Sequence, residues 1–264
     1  SAADCALVHR AVAGRDPRDA TSFSPPGGPD REALAGLCGL RVGLVREHLE
    51  VAAPGVRAVV ERAAAILEGA GAAVERVSLP GAKLAVPAYQ VLAAAEAASN
   101  LARFDGMRFG RRVRGDDLAE TYAATRGSCI GPEVRRRILL GTFALSAGWA
   151  DRVYGRAAEA GRAVARELEA RFDDGLDVIA GPASPETAFR FGERLADPVE
   201  MYGADVCALP ASLAGAPAIS LPAGLAGGLP VGLQLAARRG EDGRLLAVAA
   251  AVEGRLAAAQ EAKA

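Results

Sequence analysis

Histidine is almost missing from this chain: 264 residues hold two, His9 and His48. A Ser-His-Asp triad would have to carry one of them into a cleft. His9 lies among Ala, Leu and Val on a predicted helix, and His48 sits in a charged stretch with Arg46, Glu47 and Glu50. A packed or solvated ring is the simpler reading of both. Lysine is equally scarce, at Lys83 and Lys263, so the cations are nearly all Arg; with abundant Ala and Gly this reads as GC-rich coding. Cysteine is limited to Cys5, Cys38, Cys129 and Cys207, far apart and without C-x-x-C spacing. That spacing argues against a metal site or redox pair and fits a reducing cytosol. No apolar run is long enough to cross a bilayer, and no basic-then-apolar leader opens the chain, so a soluble, cytoplasmic protein without membrane contact is expected. The formal net charge of −1 offers no global attraction to nucleic acid. G-x-S-x-G, P-loop, G-x-G-x-x-G and H-E-x-x-H patterns are all missing.

What is present is an apolar chain, 51% hydrophobic, of a length suited to one large domain, read here as a single domain over 1–264. Ser1 can cap a first helix with Asp4 at the capping-box distance. That helix ends near Gly14, and Arg15 to Asp30 is a Pro- and Gly-rich loop. Leu40–Val45 predicts a strand and Pro54 opens a helix with Val56, Val59, Val60, Ala63 and Leu67 at helical spacing. Ala73–Leu79 then gives a second strand, so a parallel β-α-β crossover is expected. Further helices are predicted over Leu84–Phe104 and Asp116–Arg126. A long one runs from Pro132 to about Phe172, apolar nearly all round and hence buried from Ile138 to Trp149, amphipathic beyond. Strands at Asp177–Pro182, Ala218–Pro222 (buried) and Val231–Ala236 precede a closing helix over Gly240–Gln260. The glycine-rich stretch Gly224–Gly232 lacks the Lys-Ser/Thr of a phosphate loop and reads as a tight turn. The predicted fold class is α/β, a mixed or parallel sheet flanked by helices.

Polar side chains concentrate in one place, Glu96 to Gly110. Glu96, Asn100 and Arg103 follow i, i+4, i+7 spacing and share one helical face. Such a stripe builds a buried hydrogen-bond network or lines a site. In the triplet Arg135-Arg136-Arg137, a stripe centred on Val134, Ile138, Gly141, Leu145 and Trp149 turns Arg136 away and leaves Arg135 or Arg137 to enter the interior. An inward Arg needs an anion, either a protein carboxylate or a bound one. Asp205, beside the apolar run Val206–Leu209, is either a helix cap or local turn, or a partner for a cationic group. Tyr89, seven residues before Glu96, can extend the same polar face or be packed in the core.

In order along the chain stand Ala13–Ser22, the Glu96–Gly110 block, Glu133–Gly148, Asp197-Pro198 with Met201-Tyr202, Pro210 with Leu213–Gly215 and Pro217–Ser220, and Gly228–Leu235. Taken together these resemble the C-terminal half of the glutaminase (A) subunits of glutamyl-tRNA(Gln)/aspartyl-tRNA(Asn) amidotransferases, in the amidase-signature family. The last two blocks are typical of amidase-signature enzymes at large; the Glu96 and Glu133 blocks are specific to the glutaminase subunit. The resemblance implies that Tyr89, Arg137 and Asp205 bind glutamine, Arg137 taking the α-carboxylate and Asp205 the α-ammonium, with Glu96, Asn100 and Arg103 as a supporting polar network. It selects Arg137 from the two arginines that geometry left open. It also implies a Ser–Ser–Lys catalytic set in a Gly/Ser-rich segment, and no such segment occurs in these 264 residues. By the family's landmarks the chain begins just after it, so no catalytic residue is expected here, and neither metal nor cofactor. ATP and Mg would serve another subunit of the complex. Implied partners are glutamine, the B and C subunits of the amidotransferase, a missing N-terminal catalytic half, and tRNA through the complex. The chain departs from the family at Ser128-Cys129-Ile130 and in an aromatic-poor stretch from Trp149 to Tyr154. Half of a stand-alone amidase, or a non-catalytic truncated module, are the alternatives.

Overall fold

The computed structural model describes residues 1–23, 36–194 and 198–261. The end of the predicted loop from Arg15 to Asp30, together with Asp197 and Lys263, lies outside them. Read from sequence as one domain, the chain divides into two compact units, residues 1–86 with 162–264, and residues 87–161.

The first unit is built on a five-stranded sheet. β1 (Arg41–Val45) pairs in parallel with β2 (Ala73–Val77) and with β3 (Val178–Pro182). β3 pairs antiparallel with β5 (Leu229–Ala236), which forms a hairpin with β4 (Ala218–Ala226). The spatial order is β2-β1-β3-β5-β4, a mixed sheet as expected. β3 is buried at every position, as a central strand covered on both faces must be. β4 is different. Its burial alternates along the strand, and it lies at the sheet edge, so the predicted buried strand is buried on one face only. Gly227 and Gly228 close the hairpin with φ of 58° and 82°, the left-handed pair that a two-residue turn between twisted strands demands. The expected tight turn is therefore present.

α1 (Ala2–Val12) starts on the predicted capping box: the Asp4 N–H donates to Ser1 Oγ at 3.2 Å, and Ser1 Oγ donates to the Asp4 carboxylate at 2.7 Å. After α2 (Arg46–Val51), α3 (Pro54–Gly69) buries Val56, Val59, Val60, Ala63 and Leu67, the five positions its period marks. It ends where Gly71 takes φ 94° and the Ala72 N–H returns to the Leu67 carbonyl at 3.0 Å. α10 (Asp242–Glu261) buries Leu245, Val248, Ala249, Val252 and Leu256 in the same core, against α3 and the inner face of β4 and β5. A second, smaller cluster forms where Val45, Val77 and Ile179 meet Leu168 and Phe172 of α7 (Arg156–Asp173).

α4 (Ala82–Leu101) contains Pro87, and the boundary between the units falls at that residue. The second unit holds the rest of α4, α5 (Leu118–Cys129) and α6 (Pro132–Ala144). Asp117 caps α5 by accepting the Glu120 N–H at 2.7 Å. α6 packs so close to α4 that a Cβ on Gly141 would overlap the Ala94 carbonyl.

Two expectations fail here. The long helix from Pro132 to Phe172 is broken. Ser146 Oγ donates to the Phe143 carbonyl at 2.7 Å, Gly148 enters the left-handed region at φ 83°, and a single π-helical turn over Asp151–Gly155 precedes α7. Nor is Ile138 to Trp149 buried. Only Gly141 and Ala144 are buried, while Leu139 is 66%, Phe143 46% and Trp149 43% exposed. Apolar residues all round the helix did not mean cover all round it. Phe143 and Trp149 instead stack against each other with ring centroids 5.1 Å apart, and Arg152 lies 5.3 Å from the Trp149 centroid.

Candidate functional site

In the first unit the fold opens beyond the C-terminal end of β3. The chain leaves β3 pinned: the Ala183 N–H donates to the Gly232 carbonyl at 2.9 Å, and the Pro185 carbonyl accepts the Ala53 N–H at 2.8 Å. Gly232 is required at this corner, since a Cβ there would lie 2.5 Å from Ser220 Oγ and 3.0 Å from Ala183 Cβ. The following segment walls two neighbouring cavities of about 1020 Å³ and 280 Å³, which share Glu186, Thr187, Ala188, Phe189 and Arg194. Arg194 holds this wall together. Its side chain, 15% exposed, is ion-paired with Glu186 and lies 4.8 Å over the Phe189 ring.

Asp205 stands beside these cavities. Gly203 and Val206 line the larger one and Ala204 the smaller. The Asp205 carbonyl accepts the Ala208 and Leu209 N–H groups at 2.9 and 3.1 Å, leading from α8 (Pro198–Gly203) into α9 (Leu209–Ala214). The carboxylate itself is exposed and has no partner among the described residues. It is thus not the side-chain helix cap that its local sequence also allowed.

Tyr89 and Arg137 belong to the second unit. Tyr89 is half-buried on α4. The arginine triplet divides its work. Arg135 donates to the Gly127 and Ile130 carbonyls at 2.8 and 3.2 Å, capping the end of α5. Arg136 and Arg137 both reach Glu133, with Arg137 Nε 2.9 Å from the carboxylate and its side chain 36% exposed. Of the stripe chosen to orient these residues, Gly141 is buried while Val134, Leu145 and Trp149 are exposed.

Glu96, Asn100 and Arg103 are exposed. Arg103 bonds the Asn100 carbonyl at 2.9 Å and its side-chain oxygen at 3.3 Å, so these two are brought together. Glu96 joins no hydrogen bond among the described residues. The stripe is not a buried network in this chain.

Neither histidine is placed for acid–base work. His9 Nε2 is 3.9 Å from Asp242, and His48 is buried on α2 against Gly181. Burial pushes the His48 ring down to about 4, against the opposing pull of Glu47. Its neighbour Glu47 is the residue sequence reasoning passed over. Burial favours its neutral form, but the Leu79 N–H at 2.8 Å, the Ser78 hydroxyl at 2.5 Å and Arg46 at 3.2 Å reverse this and hold the carboxyl at about 2. Cys207 is buried, which pushes its thiol up to about 12 and leaves it a poor nucleophile. Among the described residues no cluster of three or more His, Cys, Asp or Glu could hold a metal, and no helix is long and apolar enough to cross a membrane.

The profile of the family described as Amidase matches residues 1–246. The chain belongs to the Amidase family. Its relatives include the A subunits of two glutamyl-tRNA(Gln) amidotransferases. That of Moorella thermoacetica is 48% identical over 95% of this chain and 52% of the relative, and that of Chloroflexus aggregans 46% identical over 93% and 51%. Among solved structures, the glutamyl-tRNA(Gln) amidotransferase A subunit from Thermotoga maritima aligns with a TM-score of 0.72 at 35% identity, over 96% of this chain and 50% of that one. This Amidase-family chain therefore spans about half the length of the relatives it matches. The mixed sheet flanked by helices is the fold they share.

Proposed function

We propose that this chain is the C-terminal, glutamine-binding portion of the glutaminase subunit of a tRNA-dependent amidotransferase. The observation that carries the reading is the 46–48% identity to amidotransferase A subunits over more than nine-tenths of the chain. The chemistry of the side chains supports it. A zwitterionic amino acid needs a cation for its carboxylate and an anion for its ammonium. Arg137 has a planar guanidinium, which matches the geometry of a carboxylate. Asp205 offers an exposed carboxylate without a partner among the described residues. Tyr89 is the third glutamine contact in this reading, and Asn100 and Arg103 brace the segment that follows it.

The nucleophile is not assigned to this chain. The complete enzyme would form an acyl-enzyme on a Ser activated by a Lys, with backbone N–H groups stabilising the oxyanion, and release ammonia. The B subunit, using ATP and Mg, would spend that ammonia on Glu-tRNA(Gln), with the C subunit in the complex. The test is ammonia release from glutamine by the purified chain, alone and after addition of the separately expressed N-terminal half of a related glutaminase subunit. Turnover only in the mixture supports the reading; turnover by the chain alone overturns it.

A further inference from the structure

The two cavities of the first unit share one wall, and that wall is cross-linked from within. Arg194 reaches back across eight residues to pair with Glu186, and its guanidinium lies 4.8 Å over the Phe189 ring. One side chain therefore gathers the start and the middle of the span against its end. Upstream the span is already fixed: the Pro185 carbonyl accepts the Ala53 N–H at 2.8 Å, and Ser184 Oγ donates to the Ala204 carbonyl at 3.4 Å. The Ser184 bond joins the span to the segment that carries Asp205. A turn shapes the far end, where the Glu193 carboxylate accepts the Arg190 N–H at 2.8 Å and the Glu193 N–H returns to the Arg190 carbonyl at 3.2 Å. Phe191, in the same turn, is fully exposed and lines neither cavity.

Arg194 is not arranged to bind a ligand directly. Its charge is answered by Glu186, and a guanidinium drawn toward a bound anion would give up the ion pair and the ring together. What it sets is the place of Thr187 and Ala188, which lie between its two partners and wall both cavities. Resting on the glutamine reading, we propose that Arg194 is a positioning residue of that site: through Glu186 and Phe189 it holds the cavity wall beside Asp205 at the spacing a glutamine fills. A supporting wall displaced by about 1 Å costs a ligand its productive fit even when every contacting residue is still present.

The test is equilibrium dialysis of labelled glutamine against the full chain mixed with the N-terminal half of a related glutaminase subunit, with thermal melts of the same mixtures. Arg194→Ala weakens glutamine binding about tenfold. Arg194→Lys keeps a cation for Glu186 but no planar face for Phe189, and recovers part of that loss. Phe189→Leu keeps the ion pair and removes the ring; it weakens binding as well, and serves where Arg194→Ala folds poorly. Phe191→Ala binds as the wild type does. A wild-type mixture that takes up no glutamine overturns the glutamine reading and this role with it. Given wild-type binding, four results overturn the positioning role alone: full affinity in folded Arg194→Ala and Phe189→Leu, a lowered melting temperature with affinity intact, no recovery in Arg194→Lys, or an equal loss in Phe191→Ala.

Discussion

The buried Glu47 carboxylate accepts the Leu79 N–H at 2.8 Å and so ties the start of α2 to the exit of β2, 32 residues away. The Ser78 hydroxyl at 2.5 Å and Arg46 at 3.2 Å complete the anchorage. Glu47→Ala leaves the Leu79 N–H and the Ser78 hydroxyl without their acceptor, and should destabilise the chain by about 2 kcal/mol. Urea unfolding read by circular dichroism would measure it, and a change under about 0.5 kcal/mol would contradict the anchoring role.

The same corner sets the response to acid. Glu47 is held at about 2 against an ordinary 4.5, so its stabilisation is complete above pH 4.5 and is lost as pH falls toward 2. His48 is held at about 4 against 6.5, so the folded state prefers the neutral ring and loses stability as pH falls from 6.5 toward 4. Stability should therefore decline in two overlapping steps. His48→Leu should remove the upper step and leave the lower. A single acid transition in the wild-type chain, unshifted in the variant, would count against the assignment.

Packing of α4 on α6 rests on Gly141. A Val there must displace the Ala94 backbone, and a loss of about 2–3 kcal/mol is expected. Gly127, on α5, has nothing within 4 Å of a built Cβ, so Gly127→Ala should be neutral or gain up to about 1 kcal/mol. Thermal melts of the two variants should shift in opposite directions, or only the first should shift.

Glutamine recognition gives a prediction for the complete enzyme. If the proposed glutamine reading holds, Asp205→Asn removes the charge for the α-ammonium while leaving an exposed side chain of the same shape, and should raise KM for glutamine about 10- to 100-fold with kcat changed much less. Arg137→Lys should act likewise, because a point charge does not reproduce a bidentate fork. A fall in kcat at constant KM for both would place them outside substrate binding.

The architecture was legible where pattern and cover agree. Val56, Val59, Val60, Ala63 and Leu67 were marked by period and are all buried, and Gly227-Gly228 announced the hairpin. It was illegible where burial depends on what lies opposite. Leu139 and Phe143 read as core because they are apolar, yet nothing among the described residues covers them fully. Gly148 was a small residue inside an apolar run, and only its φ of 83° reveals a stop. At the site, Arg135 and Arg137 stayed equivalent from spacing alone; family resemblance chose between them, and the structure adds that Arg135 is committed to the end of α5. Glu47 went unseen because Ser78 and Leu79, which hold it, lie 31 and 32 residues away and nothing local marks a carboxylate as buried.

Trp149 is the chain's single tryptophan, and it sits half-exposed between Phe143 and the Arg152 guanidinium. That makes the molecule a natural optical reporter. Its emission should be red-shifted and open to collisional quenching by iodide in the isolated chain. Anything that comes to rest over Trp149, just beyond α6, will move the emission toward the blue and shield it, with no label attached.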